Sequence, residues 1–464
     1  MVALIVFAQI AATSPSPGVI RFNQLGYLPD APKVAVYCAL QPTEIQHFTV
    51  SDATGKTVLE RRPIPGGAFG PCATADRLDF SSIKKAGDYR ITVGSVTSPP
   101  IRIRADAYSG AADTLLYYMR EQRSGYNPLF KTVVHTHDGI VVDDSALAGK
   151  FVPVTGGWAD ASDYLQYVMT SANATFVMLM AYRDHRGVFA DHFDSRGLPE
   201  ANGIPDILDE ARHGLEWLVR MFPSNSEMYN QLGDDRDHTY WDLPTTDSAD
   251  YGWGKGKERA LYPCTGKPQG LFKYKNRSNG FASTAGKYAS AFALATSLYA
   301  KRDTAFAAKL RQKALAAYAI GKKFPGVCQG APGRAPYFYE EDNWVDDMEL
   351  AAAELYTLTR DSKYLREALE YASREPVTPW MGADTAKHYQ WYPWHNNGHY
   401  EIWRIANAAD RHIVAEYYRK GLQAVVNRAH NGFRIGIPFI WCSNNLMASF
   451  ATQAYLYRRM TGGN

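Results

Sequence analysis

The sequence predicts a multidomain chain: an N-terminal all-β sandwich of immunoglobulin size, then an all-α domain that suits an α/α barrel. Three observations carry this. The chain has 464 residues, more than one ordinary core organises. From residue 18 to about residue 105 it is written in short β-forming runs broken by turn signals. From about Tyr108 onward the apolar residues recur at helical spacing.

Taking the chain in order, residues 1–17 come before the first strand. Val2–Ala12 is apolar and is followed by Thr-Ser-Pro-Ser-Pro. The run is too short to span a membrane and has the length of a signal-peptide core. The expectation is a leader and an exported protein, periplasmic or secreted. Strands are then expected at Val19–Phe22, Lys33–Tyr37, His47–Ser51, Lys56–Glu60 and Tyr89–Val93, with turns at Pro29-Asp30, Thr54-Gly55, Gly66-Gly67 and Ala86-Gly87-Asp88. None of the five cysteines stands in a Cys-x-x-Cys pair, so no metal or redox motif is visible. Cys38 and Cys72 share the small domain and could pair in an exported protein, though sequence alone does not fix the connectivity.

In the second part, Ala111, Leu115, Tyr118, Met119 and Gln122 form one helical face. Ile207, Leu208, Ala211, Leu215, Leu218 and Phe222 form another, with Pro205 suited to a first turn. Further amphipathic helices are expected near 286–300, 304–323, 344–358, 362–373, 410–429 and 446–459, with no strand runs among them. No short repeat is visible, which argues against a solenoid. The net charge is +3, from 50 basic and 47 acidic residues without a basic block, so nucleic acid is not suggested. No other stretch reads as a membrane span. The 30 Tyr, 20 Phe and 10 Trp either stack on sugar rings or fill a large core, and core is the default for most.

The chemistry centres on residues 156–167, Gly-Gly-Trp-Ala-Asp-Ala-Ser-Asp-Tyr-Leu-Gln-Tyr. Asp160 and Asp163 stand three residues apart with only small residues between them. The apolar residues Leu165, Val168, Met169, Ala172, Phe176, Leu179 and Met180 follow at helical spacing. The pair is therefore expected in the loop and first turn leading into a buried helix, whose N-terminus favours ionised carboxylates. Two such carboxylates can hold a water and take its proton, which is base work in an inverting hydrolase. Plain helix capping is the alternative.

Gly-Gly-Trp-Ala-Asp-Ala-Ser-Asp-Tyr resembles the Gly-Gly-(Trp/Tyr)-x-Asp-Ala-Gly-Asp stretch of glycoside hydrolase family 9, the cellulase family with an (α/α)6 barrel, with Ser162 in place of Gly. Asn202–Arg212 resembles that family's Ile-Pro-Asp-Leu-Leu-Asp-Glu-Ala-Arg helix. Ala335–Tyr356 with Thr359–Leu365 resembles its Asp-Asp, Ala-rich helix. Gln231–Asp234 and Asp237-His238-x-Tyr240-Trp241 resemble its cleft elements. Arg21–Pro29 and Ala86–Tyr89 resemble the immunoglobulin-like domain that precedes many of its catalytic domains. The resemblance runs from about residue 18 to the end and implies a sandwich at 18–105 and a barrel at 106–464, after the leader expected at 1–17. It implies inverting, cellulase-like hydrolysis of β-linked glucan or a related glycan, with Asp163 as general base and Asp160 beside it.

An inverting mechanism also needs a protonated carboxyl. The family takes it from an Asn-Glu, and the resemblance puts Asn444 on the Asn and Asn445 on the Glu. An amide cannot act as that acid. Glu341, Glu340 and Glu401 are the replacements in sequence, with Glu341 preferred because burial raises a Glu toward what an acid needs. Substrate contacts are expected from Trp158, Tyr164, Asp237, His238, Trp241, Trp344, Trp394, His395, His399, Trp441, Asn444 and Asn445. No cofactor is expected to be required. Calcium suits the oxygen-rich loop around Asp234–Asp250 by chemistry but not by ligand spacing. Some members hold zinc with Cys and His; here Ser124 and His135-Thr136-His137 leave no Cys, so no zinc is expected. The rivals are a family 9-fold exo-glycosidase on another glycan, with a different acid, and a glycan-binding protein without activity.

Overall fold

The computed structural model describes residues 18–239, 243–387, 389–441 and 443–462. The expected leader, Trp241, Asp242 and Cys442 lie outside them. The chain forms two compact units: one runs to Ser109 and takes in Val426–Gly436, the other comprises Gly110–Val425 and Ile437–Asn464.

The first unit is a sandwich of antiparallel strands: β1 (Val19–Arg21), β2 (Val34–Ala39), β3 (Phe48–Asp52), β4 (Thr57–Arg61), β5 (Thr74–Asp79), β6 (Gly87–Val93), β7 (Val96–Thr97) and β8 (Ile101–Ile103). One sheet has the order β1-β2-β5; the other runs β4-β3-β6-β7, with β8 also on β6. Alternation explains the core: Tyr89, Ile91 and Val93 of β6 point inward with Phe48, Val50, Leu78 and Phe80. Each expected strand is found within two residues of its bounds. β5, β7 and β8 are additional, and the charges Asp76, Arg77 and Asp79 had hidden β5. Cys38 and Cys72 form a disulfide. Residues 426–436 join this unit closely. Arg77 donates to the Gly432 carbonyl at 2.9 Å, and a Cβ on Gly432 would lie 1.8 Å from the Ala75 carbonyl oxygen, so only glycine fits.

The second unit is helical: α1 (Ala111–Glu121), α2 (Val168–Asp184), α3 (Asp206–Met221), α4 (Ala282–Tyr299), α5 (Thr304–Lys323), α6 (Val345–Thr359), α7 (Ser362–Arg374), α8 (Pro379–Ala383), α9 (Gly398–Ile405), α10 (Ala408–Val426) and α11 (Ser443–Thr461). α2 packs on α3, α4 on α5 and α6 on α7, while α4 also packs on both α2 and α6. These three are the inner helices. Every residue of α4 from Ala282 to Thr296 is buried, as a helix enclosed on all sides requires. α7, an outer partner, buries only the stripe Tyr364, Ala368, Tyr371 and Ala372.

Six short strands interrupt this region, contrary to the expectation of none: β9 (Gly125–Asn127), β10 (Thr132–Val134), β11 (Ile140–Val141), β12 (Gln166–Tyr167), β13 (Tyr229–Leu232) and β14 (Ala260–Pro263). The last four form one sheet in the order β11-β14-β13-β12. All residues of β13 and β14 are buried. Such strands are short runs without alternation, so periodicity cannot distinguish them. The sheet also corrects the reading of the carboxylate stretch. Residues 166–167 are strand, and α2 starts at Val168 with Tyr167 as its cap. Asp160 and Asp163 therefore precede a strand, and the helix dipole does not govern them.

Candidate active site

The loop carrying the two carboxylates is held from three sides. On one side is α3. Gly156 (φ +118°) and Gly157 (φ +76°) take left-handed backbone that glycine favours, and a Cβ at Gly157 would stand 2.6 Å from the Trp217 ring. In return, a Cβ on Gly214 would stand 2.2 Å from the ring of Trp158. The Trp158 indole donates to Glu210 at 2.8 Å, and Glu210 also accepts from Arg123 at 3.1 and 2.7 Å. His213 meets the Gly157 carbonyl at 2.9 Å, and burial takes its pKa down to about 4, so the ring is neutral.

From beneath, Arg259 reaches the far end of the loop. It donates to the Tyr164 carbonyl, to Asp138 at 3.0 and 2.8 Å and to Gln166 at 2.6 Å. Gln166 in turn donates to the Gly156 carbonyl at 2.7 Å, closing the loop on itself. From above comes the segment after Gln329: the Tyr339 hydroxyl donates to both oxygens of Asp160, at 3.2 and 3.0 Å.

Burial and the neighbouring Asp163 raise Asp160 to about 7, against the hydrogen bond from Tyr339. Burial also raises Asp163, opposed by the His238 charge, whose ring nitrogen lies 3.6 Å away. With no helix end at the pair, desolvation raises both carboxyls, the opposite of the sequence expectation. The loop borders two pockets that share Gln122 and Ala159. One, of about 220 Å³, is lined by Asp160, Tyr118, Trp158, Tyr339, Tyr392 and Asn445. The other, of about 270 Å³, is lined by Asp163, Tyr164, Gln122, Phe130, His135 and Glu121.

The structure therefore brings Trp158, Tyr164, His238 and Asn445 to the pair. Asn444 and Trp441 are exposed beside Asn445, Trp441 at 74%. Other expected residues are not brought there. Glu341 is buried with its carboxylate on Lys287, which also holds Asp347 at 2.6 Å. Glu401 accepts from Arg183 at 2.9 and 2.6 Å and from Arg404 at 2.6 Å. Both were expected as replacement acids, Glu341 through burial; both are buried, but as ion-pair partners of Lys287 and Arg183, and neither lines a pocket beside the pair. Glu340 faces Arg277 at 3.5 Å. Trp344 packs on Tyr371 and lies under Arg374. Trp394 is core, 2% exposed, its carbonyl accepting from Trp380. His395 is half-buried and held neutral, its pKa taken down to about 4 by desolvation. His399 is paired with Glu349 at 2.7 Å. Trp394 and His399 were thus expected at the substrate because their residue types suit sugars, whereas both are buried in the domain. Asp237 is fully enclosed, 3.6 Å from Arg259, and burial raises it to about 7.

Among the described residues, the remaining acidic side chains of the 234–250 loop meet protein donors, Asp250 through the N–H groups of Gly252 and Gly254. Asp234 accepts from Arg236 and Tyr262, Asp235 from three backbone N–H groups, and Asp247 faces His135 at 3.1 Å. Among the described residues, no group of three His, Cys, Asp or Glu is arranged to hold a metal ion. Sequence reasoning missed Tyr339, Tyr337, Arg259 and Glu121. Arg259 alone left a signal: it is a charge beside the apolar run Ala260–Pro263.

Residues 108–464 match the family described as Glycosyl hydrolase family 9, and residues 16–98 match the Cellulase N-terminal ig-like domain. The chain belongs to glycosyl hydrolase family 9. Among curated relatives, a cellodextrinase of Butyrivibrio fibrisolvens is 27% identical over 369 residues, covering 76% of this chain and 61% of its own length. A xyloglucan-specific endo-β-1,4-glucanase of Bacteroides ovatus is 27% identical over 407 residues, covering 80% of this chain and 63% of its own. The family 9 chain thus spans about three-fifths of these relatives. A solved family 9 endoglucanase of metagenomic origin superposes with a TM-score of 0.69 at 26% identity, covering 96% of this chain and 80% of its own. A thermostable endoglucanase from Alicyclobacillus acidocaldarius gives a TM-score of 0.73 at 20% identity, covering 97% and 79%, and shows the shared fold. The family 9 fold is thus the sandwich and helical domain expected from sequence.

Proposed function

We propose that this family 9 protein hydrolyses the glycosidic bonds of a β-linked glucan or related glycan by single displacement with inversion. Asp163 is the general base, and Asp160 holds the attacking water with it. The observation that carries this reading is the pair itself: two carboxylates on one fixed loop, both raised by burial, each lining a pocket. A base whose pKa is raised by burial is better matched to proton transfer than an ordinary carboxylate. The names of the relatives, a cellodextrinase and a xyloglucan-specific endo-β-1,4-glucanase, support a β-glucan substrate. The proton donor is not assigned to Glu341 or Glu401, because each is committed to a buried cation. No cofactor is required. Export is part of the proposal and is supported by the Cys38–Cys72 disulfide, which persists in oxidising compartments. Among the described residues, no helix is long and apolar enough to cross a membrane.

Purified protein on a glycan panel, with NMR of the first product anomer, tests the reading. Asp163→Asn should lower kcat by about three orders of magnitude or more with folding intact, and Asp160→Asn nearly as much. Near-normal turnover in folded Asp163→Asn overturns the assignment. One observation favours a second reading: Asn445, an amide, lines the pocket with Asp160. A protein that binds oligosaccharides in calorimetry but cleaves no glycan, and no aryl glycoside with an acidic phenol, is a glycan-binding protein.

A further inference from the structure

The two carboxylates are touched by different elements, yet their supports converge on one short segment. Tyr339 donates to Asp160. Two residues earlier, the exposed Tyr337 lies flat against His238, centroids 4.5 Å apart and planes 11° apart. His238 in turn stands 3.6 Å from Asp163. Between the tyrosines, Phe338 is buried, so the segment is seated by its middle residue.

The base of the segment is pinned by the stretch that also supplies His238. Gln231 accepts from the Ala331 N–H at 2.6 Å and donates to the Ala331 carbonyl at 2.9 Å. Asp235 accepts from the backbone N–H of Gly333, and from those of Arg334 and Ala335 at 2.7 Å each. Gly330 donates to the Tyr339 carbonyl at 3.0 Å, folding the loop back. Residues 231–238 therefore anchor the loop and carry the histidine, so the stack is set by two neighbouring attachments.

We propose that Tyr337–Tyr339 is a two-armed positioning segment for the carboxylate pair, holding Asp160 directly through Tyr339 and Asp163 indirectly through the Tyr337–His238 stack. His238 is then a positioning residue of the base rather than a sugar contact. The inference rests on the proposed hydrolase reading. Its pH consequence follows from the charges around Asp163. Asp160 shares its loop. Tyr118 of α1 and Tyr167 of β12 face the pair, and burial raises both phenols, so neither ionises in the acid range. Asp237, beside His238, faces Arg259 and Tyr251 instead. Loss of the His238 charge leaves Asp163 harder to ionise.

The test uses the full chain, with melting curves to confirm folding. His238→Gln and Tyr337→Ala should each lower kcat between about 10- and 100-fold with KM little changed, and His238→Gln should move the acid limb of the kcat profile to higher pH. Tyr337→Phe, which keeps the stacked ring, should rescue turnover. Asp235→Asn should follow Tyr337→Ala. A His238→Gln variant that raises KM and leaves kcat and its pH limb unchanged makes His238 a substrate contact and overturns the proposal. So does a Tyr337→Ala variant with wild-type kinetics. In aspartate-labelled protein the Asp163 carboxyl resonance, assigned by its loss in Asp163→Asn, should titrate at higher pH in His238→Gln. That readout needs no turnover, so an unmoved titration refutes the clamp even if no glycan is cleaved, while inactivity with a moved titration refutes only the hydrolase reading.

Discussion

Replacing Tyr339 with Phe deletes one oxygen from a ring fixed between Tyr167, Tyr389 and Tyr392, at centroid distances of 4.8, 4.3 and 5.3 Å. The packing survives and the two bonds to Asp160 do not. A hydrogen bond to a charged acceptor contributes about 1.5–3 kcal/mol, or roughly one to two units of pKa. Asp160, already raised to about 7 by burial and by Asp163, loses one of the few groups that favour its ionised form. The acid limb of kcat should therefore move upward by about one to two pH units. Near neutrality the loss should be roughly 5- to 50-fold, largely regained as pH rises toward about 9. The assay is kcat against pH on a soluble oligosaccharide, with circular dichroism at each pH. An acid limb unchanged in folded Tyr339→Phe refutes the argument that Asp160 must ionise and that Tyr339 holds it so.

Asp160 also makes stability depend on pH. Its folded pKa lies above its unfolded value of 3.8, so its contribution is intact below about pH 4 and is lost as pH rises through about 7. The shift corresponds to about 4 kcal/mol for a fully desolvated carboxyl; Asp160 keeps some solvent contact, so about half of that is expected. Urea titrations should show Asp160→Asn more stable than wild type at pH 8 but not at pH 4. Glu401→Gln should cost roughly 2–4 kcal/mol of stability, because Arg183 and Arg404 lose a buried partner, while kcat and its pH profile stay as they are. A change in the basic limb alone would return Glu401 to the acid role. Cys72→Ser opens a loop closed across 34 residues and should destabilise the first unit by about 3–4 kcal/mol in thermal melts, with no effect on kcat.

The legible parts of the sequence were those with long-range regularity. α5 and α7 were bounded within a residue because apolar spacing and the Asp caps Asp303 and Asp361 agree. The pair Asp160 and Asp163 was legible as chemistry through the family resemblance of its Gly-Gly-Trp stretch, since the spacing alone suits helix capping as well. Its environment was not. Tyr339 lies 179 residues from Asp160 in sequence, in a loop whose composition says only that it is aromatic. Lys287 was a signal left unused: one charge in an otherwise apolar inner helix demands buried partners, and those partners are Glu341 and Asp347. Followed through, it would have withdrawn Glu341 from the list of acids. The aromatic loop at Trp394–His399 failed for the converse reason, since residue type fixes what a side chain suits but not which way it faces.

The two family stretches that stand out most in the sequence turn out to be one object. The Gly-Gly-Trp loop and α3 are cut to each other, with Gly157 making room for Trp217 and Gly214 for Trp158. Glu210 of α3 ties Trp158 to Arg123, and His213 reaches the Gly157 carbonyl. Yet no residue of α3 lines either pocket beside the carboxylates. The helix acts on the chemistry only by fixing where Trp158 lies, and Asp160 follows two residues later. A misplacement of about 1 Å at a reacting group can cost about 100-fold in rate. The same physical demand therefore accounts for a conspicuous helix with no catalytic group and for a conspicuous loop with two: the loop supplies the carboxylates, and the helix supplies the tolerance to which they are held.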